Sequence, residues 1–129
     1  MTGKQRRTVM IFGTLTGLVL VIIGIRFLIV PSAAAKFFGI APNAPTPALH
    51  YVIALRDLWL GGLAITFALL REWRALALWL GFAVLVCFAD AVIAWTSSGR
   101  VVSVAFHIGS GLFCAVLAWL AWRCRQPAA

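Results

Sequence analysis

Five ionisable residues stand inside long apolar runs of this sequence: Arg26, Arg56, Asp57, Asp90 and His107. Their types suit two kinds of chemistry. Asp57, Asp90 and His107 can give and take protons and are the candidate catalytic residues. Arg26 and Arg56 present planar pairs of N–H donors to anionic or carbonyl oxygens and are the candidate ligand-binding residues. A charge at the centre of a membrane helix costs about 2.5–3.5 kcal/mol, and somewhat less nearer the surface. Two Arg and two Asp cancel formally, so mutual pairing is the cheap arrangement. Asp90 is expected to pair with Arg56 or Arg26, and Asp57 with His107 or Arg26. Arg56 and Asp57 are sequence neighbours whose side chains leave a helix about 100° apart, which makes them poor partners for each other. His107, Asp57 and Asp90 could together reach a metal ion. No single helix carries a ligand-spaced motif, however, so no metal is assigned. These residues indicate no particular cofactor.

Positioning such residues falls to the rest of the chain, which is 64% hydrophobic and only 11% charged over 129 residues. A soluble domain carries about a quarter charged residues. These proportions exclude a soluble globular enzyme, a disordered tail and a coiled coil, and they point to a polytopic membrane protein. Four apolar stretches can each cross ~30 Å of hydrocarbon: Val9–Val30, Tyr51–Leu70, Ala75–Thr96 and Val101–Trp122. The longest connection, Pro31–His50, holds Pro31, Pro42, Pro45 and Pro47. Within it Ala33–Ile40 reads as a short interfacial helix, with Lys36 toward water and Phe37 and Phe38 toward lipid. The first stretch is too long for a signal peptide core and contains Arg26, so it reads as a retained span.

The formal net charge is +8. In a soluble protein that would suggest nucleic acid, but here the cations flank spans, and no nucleic-acid partner is expected. If the N-terminus is cytoplasmic, Lys4, Arg6, Arg7, Arg71, Arg74, Arg123 and Arg125 share its side, and only Lys36 and Arg100 lie opposite. That bias places both termini in the cytoplasm, and the lipid bilayer is the main partner. Counted along the helices at about 1.5 Å per residue, all five intramembrane ionisable residues then fall in the outer third of the bilayer. The expected fold is an all-α, integral membrane four-helix bundle. It forms a single transmembrane domain over residues 1–129, with a proline-rich outer loop between the first two spans.

Helix faces add detail. Ser103, His107, Ser110, Gly111 and Cys114 share one small, polar face of the fourth span. Gly61 and Ala64 share the side of Asp57. Gly13 and Gly17 form a GxxxG pattern continued by Gly24, which suits close packing inside the bundle or, alternatively, the seam of a homodimer. Cys87, Cys114 and Cys124 form no CxxC and no metal-finger spacing. They read as reduced or inert thiols, with a redox pair as the alternative.

The order of these features carries a resemblance. Gly-Ile-Arg26 is followed by Pro31 and Phe-Gly-Ile-Ala-Pro, then by Ala-Leu-Arg56-Asp57-Leu-Trp-Leu-Gly-Gly, Phe-Ala-Asp90 and Ala-Phe-His107. Over nearly its whole length the chain resembles uncharacterised four-helix membrane proteins that are similar to DoxX-like proteins. The resemblance implies a four-helix bundle in a cell membrane and supplies no reaction. Small multidrug transporters have a similar size but carry an acid in the first span, and quinone-linked thiol oxidoreductases of the vitamin K type use a CxxC; this chain has neither. Three functions remain open: a site that binds or processes a small lipophilic or anionic molecule, a proton-coupled small transporter, or an accessory membrane subunit whose charges are internal salt bridges.

Overall fold

The computed structural model of the chain describes residues 2–41 and 47–125. These form α1 (Gly3–Ile29), α2 (Pro31–Phe38), α3 (Pro47–Leu69), α4 (Trp73–Ser97) and α5 (Val101–Cys124). Four of the five, all but α2, are long and apolar enough to cross a membrane. The chain is therefore all-helical and of the multi-pass membrane type. Pro42 and Pro45 of the expected loop lie outside the described residues.

The helices outrun the apolar stretches. Thr2 and Gln5 form a capping box: the Gln5 amide donates to Thr2 Oγ1 at 3.3 Å, and the Thr2 amide to Gln5 Oε1 at 2.9 Å. Two amides that a helix start leaves unbonded are thus satisfied, and α1 begins at Gly3 rather than Val9. At the other end of α1, Pro31 takes the first turn of α2, where its missing N–H costs nothing.

The bundle is built from two close pairs, α1 with α3 and α4 with α5, and these pairs touch each other more sparsely. Glycine explains the first pair. A Cβ on Gly17 would stand 2.6 Å from the Gly61 carbonyl oxygen, and one on Gly61 would stand 2.6 Å from the Gly17 oxygen. Gly24 meets the Ala54 carbonyl in the same way, at 2.8 Å. The GxxxG face is therefore spent inside the chain, backbone against backbone. In α5 the buried positions Ser103, His107, Gly111, Cys114, Leu117, Ala121 and Cys124 recur every three or four residues and form the seam toward α4. Cys124, at the end of α5, is 1% exposed and packs in an apolar cluster with Val9, Leu76 and Leu117.

A second apolar cluster sits at the α2 end and joins Phe27, Ala34, Phe38 and Ile53. Here one expectation fails. Lys36 and Phe37 are exposed, but Phe38 is only 8% exposed and turns into the bundle instead of toward lipid. The reason is α2's anchoring to α5. The last carbonyls of a helix have no partners within it. Arg100 donates to the Lys36 oxygen, Ser103 Oγ to the Phe37 oxygen at 2.8 Å, and His107 Nε2 is 2.9 Å from the Phe38 oxygen. Gly39 then ends α2 with φ +104°, where a Cβ would stand 2.7 Å from the Ala94 Cβ. Only glycine fits that turn, and the fit holds α2 as a cap over one end of the bundle.

Candidate functional site

Between the two apolar clusters the helix pairs stand apart around a cavity of about 730 Å³. All five ionisable residues singled out in the sequence line it: Arg26 from α1, Arg56 and Asp57 from α3, Asp90 from α4 and His107 from α5. Helical periodicity explains the convergence. Asp57 shares the buried stripe of α3 with Ala54 and Gly61, and His107 shares the seam of α5 with Ser103 and Gly111.

The pairing differs from the expected one. Arg56 Nε donates to Asp57 Oδ1 at 2.9 Å, so the two sequence neighbours do pair. The angle between their Cβ directions is set by the helix, but the Arg side chain is long enough to fold back across it. The same guanidinium reaches Asp90 through Nη2, 3.5 Å from Oδ2, which matches one of the expected pairings. One arginine therefore serves two carboxylates and bridges α3 to α4, where the pairs are otherwise loosely joined. The Asp57 and Asp90 side chains are 4% and 11% exposed, the Arg56 side chain 33%.

Arg26 makes no ion pair with either carboxylate, contrary to the expected Asp57–Arg26 and Asp90–Arg26 contacts, and His107 acts on Asp57 and Asp90 through space without a hydrogen bond to either. Arg26 lies with its guanidinium carbon 5.7 Å from the Phe37 ring centre, a cation–π arrangement at the cavity's α2 end. The Phe38 carbonyl can only accept, so His107 Nε2 carries a hydrogen and donates to it. The His107 ring also meets the Phe38 ring edge to face, with centroids 4.6 Å apart. The histidine is thus held in place by α2 and stands at the cavity wall near the carboxylates. The formal charges of Arg56, Asp57 and Asp90 sum to −1.

Below this layer the walls are apolar. Between α1 and α5, Phe12 meets Phe113 with ring centroids 6.0 Å apart, and at the α2 end Phe37 of α2 meets Phe106 of α5 at 5.3 Å. On the α3–α4 side, Trp59 and Phe82 line the cavity yet remain 59% and 67% exposed, so the cavity opens sideways there, below the Arg56–Asp90 bridge. Two features were not read from the sequence. Trp79 lines the cavity, and its buried indole N–H has no acceptor. Cys87 of α4 and Cys114 of α5 both line the wall where these helices pack together. Spacing along one helix could show neither, because each depends on the register of two helices. Among the described residues, no group of three or more His, Cys, Asp or Glu side chains is placed to hold a metal ion.

The chain matches the family described as Domain of unknown function (DUF4267) over residues 17–121, and it belongs to that family. The matched stretch contains every residue named in the cavity wall except those of the first turns of α1, such as Phe12. The match agrees with an uncharacterised family; it does not show the similarity to DoxX-like proteins. No curated protein and no solved structure shows significant similarity to the chain.

Proposed function

We propose that this membrane protein binds a small lipophilic molecule whose polar end sits at the Arg56–Asp57–Asp90–His107 layer and whose apolar part runs along the cavity. The observation that carries this reading is the cavity itself, which joins a charged layer to an apolar chamber open to one side. Ligand sites are typically concave, mostly apolar and furnished with a few convergent polar groups, at volumes of roughly 300–1,000 Å³. From Phe12 to Arg26 the wall of α1 spans about 21 Å of helix rise, the length of an extended lipid-like chain. Entry from the bilayer through the gap flanked by Trp59 and Phe82 requires no passage through water.

The polar layer favours particular head groups. Arg56 is already shared between two carboxylates, so a second anion gains little from it. Free carboxylate oxygens invite a hydroxyl or amine donor, and the remaining Arg56 donors invite a carbonyl. A neutral head bearing both carbonyl and hydroxyl groups fits this set. An anionic head would instead engage Arg26 at the α2 end.

Native mass spectrometry of the protein purified in nanodiscs tests the reading. A bound lipophile should survive mild detergent and be lost from an Ala83→Trp variant that fills the chamber. Arg56→Gln should weaken rebinding of that lipophile about tenfold, the equivalent of one charge-assisted hydrogen bond. A protein that carries no lipophile in either form argues for a second reading, which the α3–α4 position of the Arg56–Asp90 contact supports. In that reading the bridge only holds the two helix pairs together, and Arg56→Gln lowers thermal stability with no ligand to lose.

A further inference from the structure

Three cysteines are present, and two of them come together on the cavity wall. Cys87 of α4 and Cys114 of α5 both line it, from two helices packed closely against each other. The approach is built into the helix packing: at Gly111, one turn from Cys114, a Cβ would stand 3.3 Å from the Cys87 Cβ. The α4 and α5 backbones therefore run close at this level, and Cys114 stands one turn along α5 from the position that faces Cys87. Cys124 is remote from them and sealed in the apolar cluster with Val9 and Leu76.

Depth decides which reagents can reach the pair. Cys87 lies about 15 Å of helix rise from Ser97, and Cys114 about 15 Å from Cys124, so both sit near the middle of their spans. Soluble thiols and disulfide-exchange proteins do not enter at that depth. A lipid-soluble two-electron acceptor does, by the same side opening as any lipophile. Quinones are that class of molecule, and their carbonyl head suits the donors of the layer above.

We propose that Cys87 and Cys114 form a redox dithiol that a quinone in the cavity oxidises to a disulfide. The two S–H bonds break and one S–S bond forms. Two electrons and two protons pass to the quinone oxygens, and the quinone leaves as its hydroquinone. Asp90, one turn from Cys87 on α4 and also in the wall, is placed to relay a proton. The quinone step rests on the lipophile-binding reading; the capacity of the pair to close a disulfide does not.

The test uses the full chain with Cys124→Ser in phosphatidylcholine nanodiscs, reduced and then freed of reductant. One sample receives decylubiquinone and another receives diamide, a small thiol oxidant that needs no binding site. Each is denatured and its remaining thiols are tagged with a polyethylene-glycol maleimide. Quinone binding is followed separately by quenching of tryptophan fluorescence. Loss of both tags with decylubiquinone is expected, together with one equivalent of hydroquinone and a Cys87–Cys114 linked peptide. Cys87→Ser and Cys114→Ser should each keep the remaining thiol free. Retention of both tags under both oxidants overturns the dithiol, as does a disulfide found only between copies of the chain. Loss of tags with diamide alone overturns the quinone step. Quenching by quinone without thiol loss overturns the redox inference and leaves lipophile binding standing. Neither quenching nor thiol loss with quinone counts against both.

Discussion

Asp57 is 3% exposed and depends on one arginine that it shares with Asp90. Removing Arg56 leaves two carboxylates without a counter-charge in a low-dielectric wall. Breaking a buried pair from one side costs about 3–5 kcal/mol. Arg56 is itself a third exposed, so the lower end applies. Arg56→Met should therefore lower the thermal midpoint of the detergent-solubilised protein markedly, and adding Asp90→Asn should recover part of the loss. If the double variant is no more stable than Arg56→Met alone, Asp90 is not part of a coupled unit. His107 raises a different matter. Its Nε2 hydrogen bond to the Phe38 carbonyl is a structural duty, whatever else the ring does. His107→Phe keeps the ring contact with Phe38 but strands that carbonyl. The expected cost is about 1–3 kcal/mol, read from the unfolding midpoint.

Helices meet here by two devices. Along α1 and α3 the device is missing side chains. Gly17→Ala would put a methyl 2.6 Å from the Gly61 carbonyl oxygen, and overpacking of this kind costs about 1–3 kcal/mol. Gly62, one position along, has nothing within 4 Å of a new Cβ, so Gly62→Ala should be neutral or stabilising by up to about 1 kcal/mol. Side-by-side denaturation of the two variants measures the contrast, and equal effects would mean that α1 and α3 are not in contact at that register. Along α2 the device is hydrogen bonding from α5. Ser103→Ala removes the donor to the Phe37 carbonyl, and hydrogen exchange should rise in Ala33–Gly39 while the amides of α4 stay protected.

At the scale of the molecule the chain is asymmetric from end to end. One end gathers Arg6, Arg7 and Arg71 around a shallow pocket with Trp73, while Arg123 and Arg125 stack over Trp119 and Trp122 at 4.9 and 3.9 Å. The opposite end carries α2 with Lys36 and Arg100. We infer that the cation-rich end is cytoplasmic. A C-terminal green fluorescent reporter expressed in a bacterial plasma membrane should then fluoresce, and a C-terminal alkaline phosphatase should be inactive. The opposite pattern would invert the orientation and place the charged layer nearer the cytoplasm.

Much of this was legible before any coordinates. A chain with 11% charged residues has no means of covering a water-facing surface, and its apolar runs match the thickness of a bilayer, so membrane class and span number follow from solvent energetics alone. Helical periodicity likewise put Ser103, His107 and Gly111 on one face of the fourth span and Gly61 on the side of Asp57, because it depends only on spacing along one element. What needed tertiary structure was everything set between elements. Arg56 took Asp57 as its partner because a long side chain can fold back where backbone geometry alone points away. Phe38 turned inward because α5 supplies donors to the carbonyls at the end of α2. Cys87 and Cys114 met because Gly111 lets α4 and α5 run close at one level. None of these follows from a one-dimensional pattern, since each rests on the register between helices. The sum of packing contacts over the whole bundle sets that register.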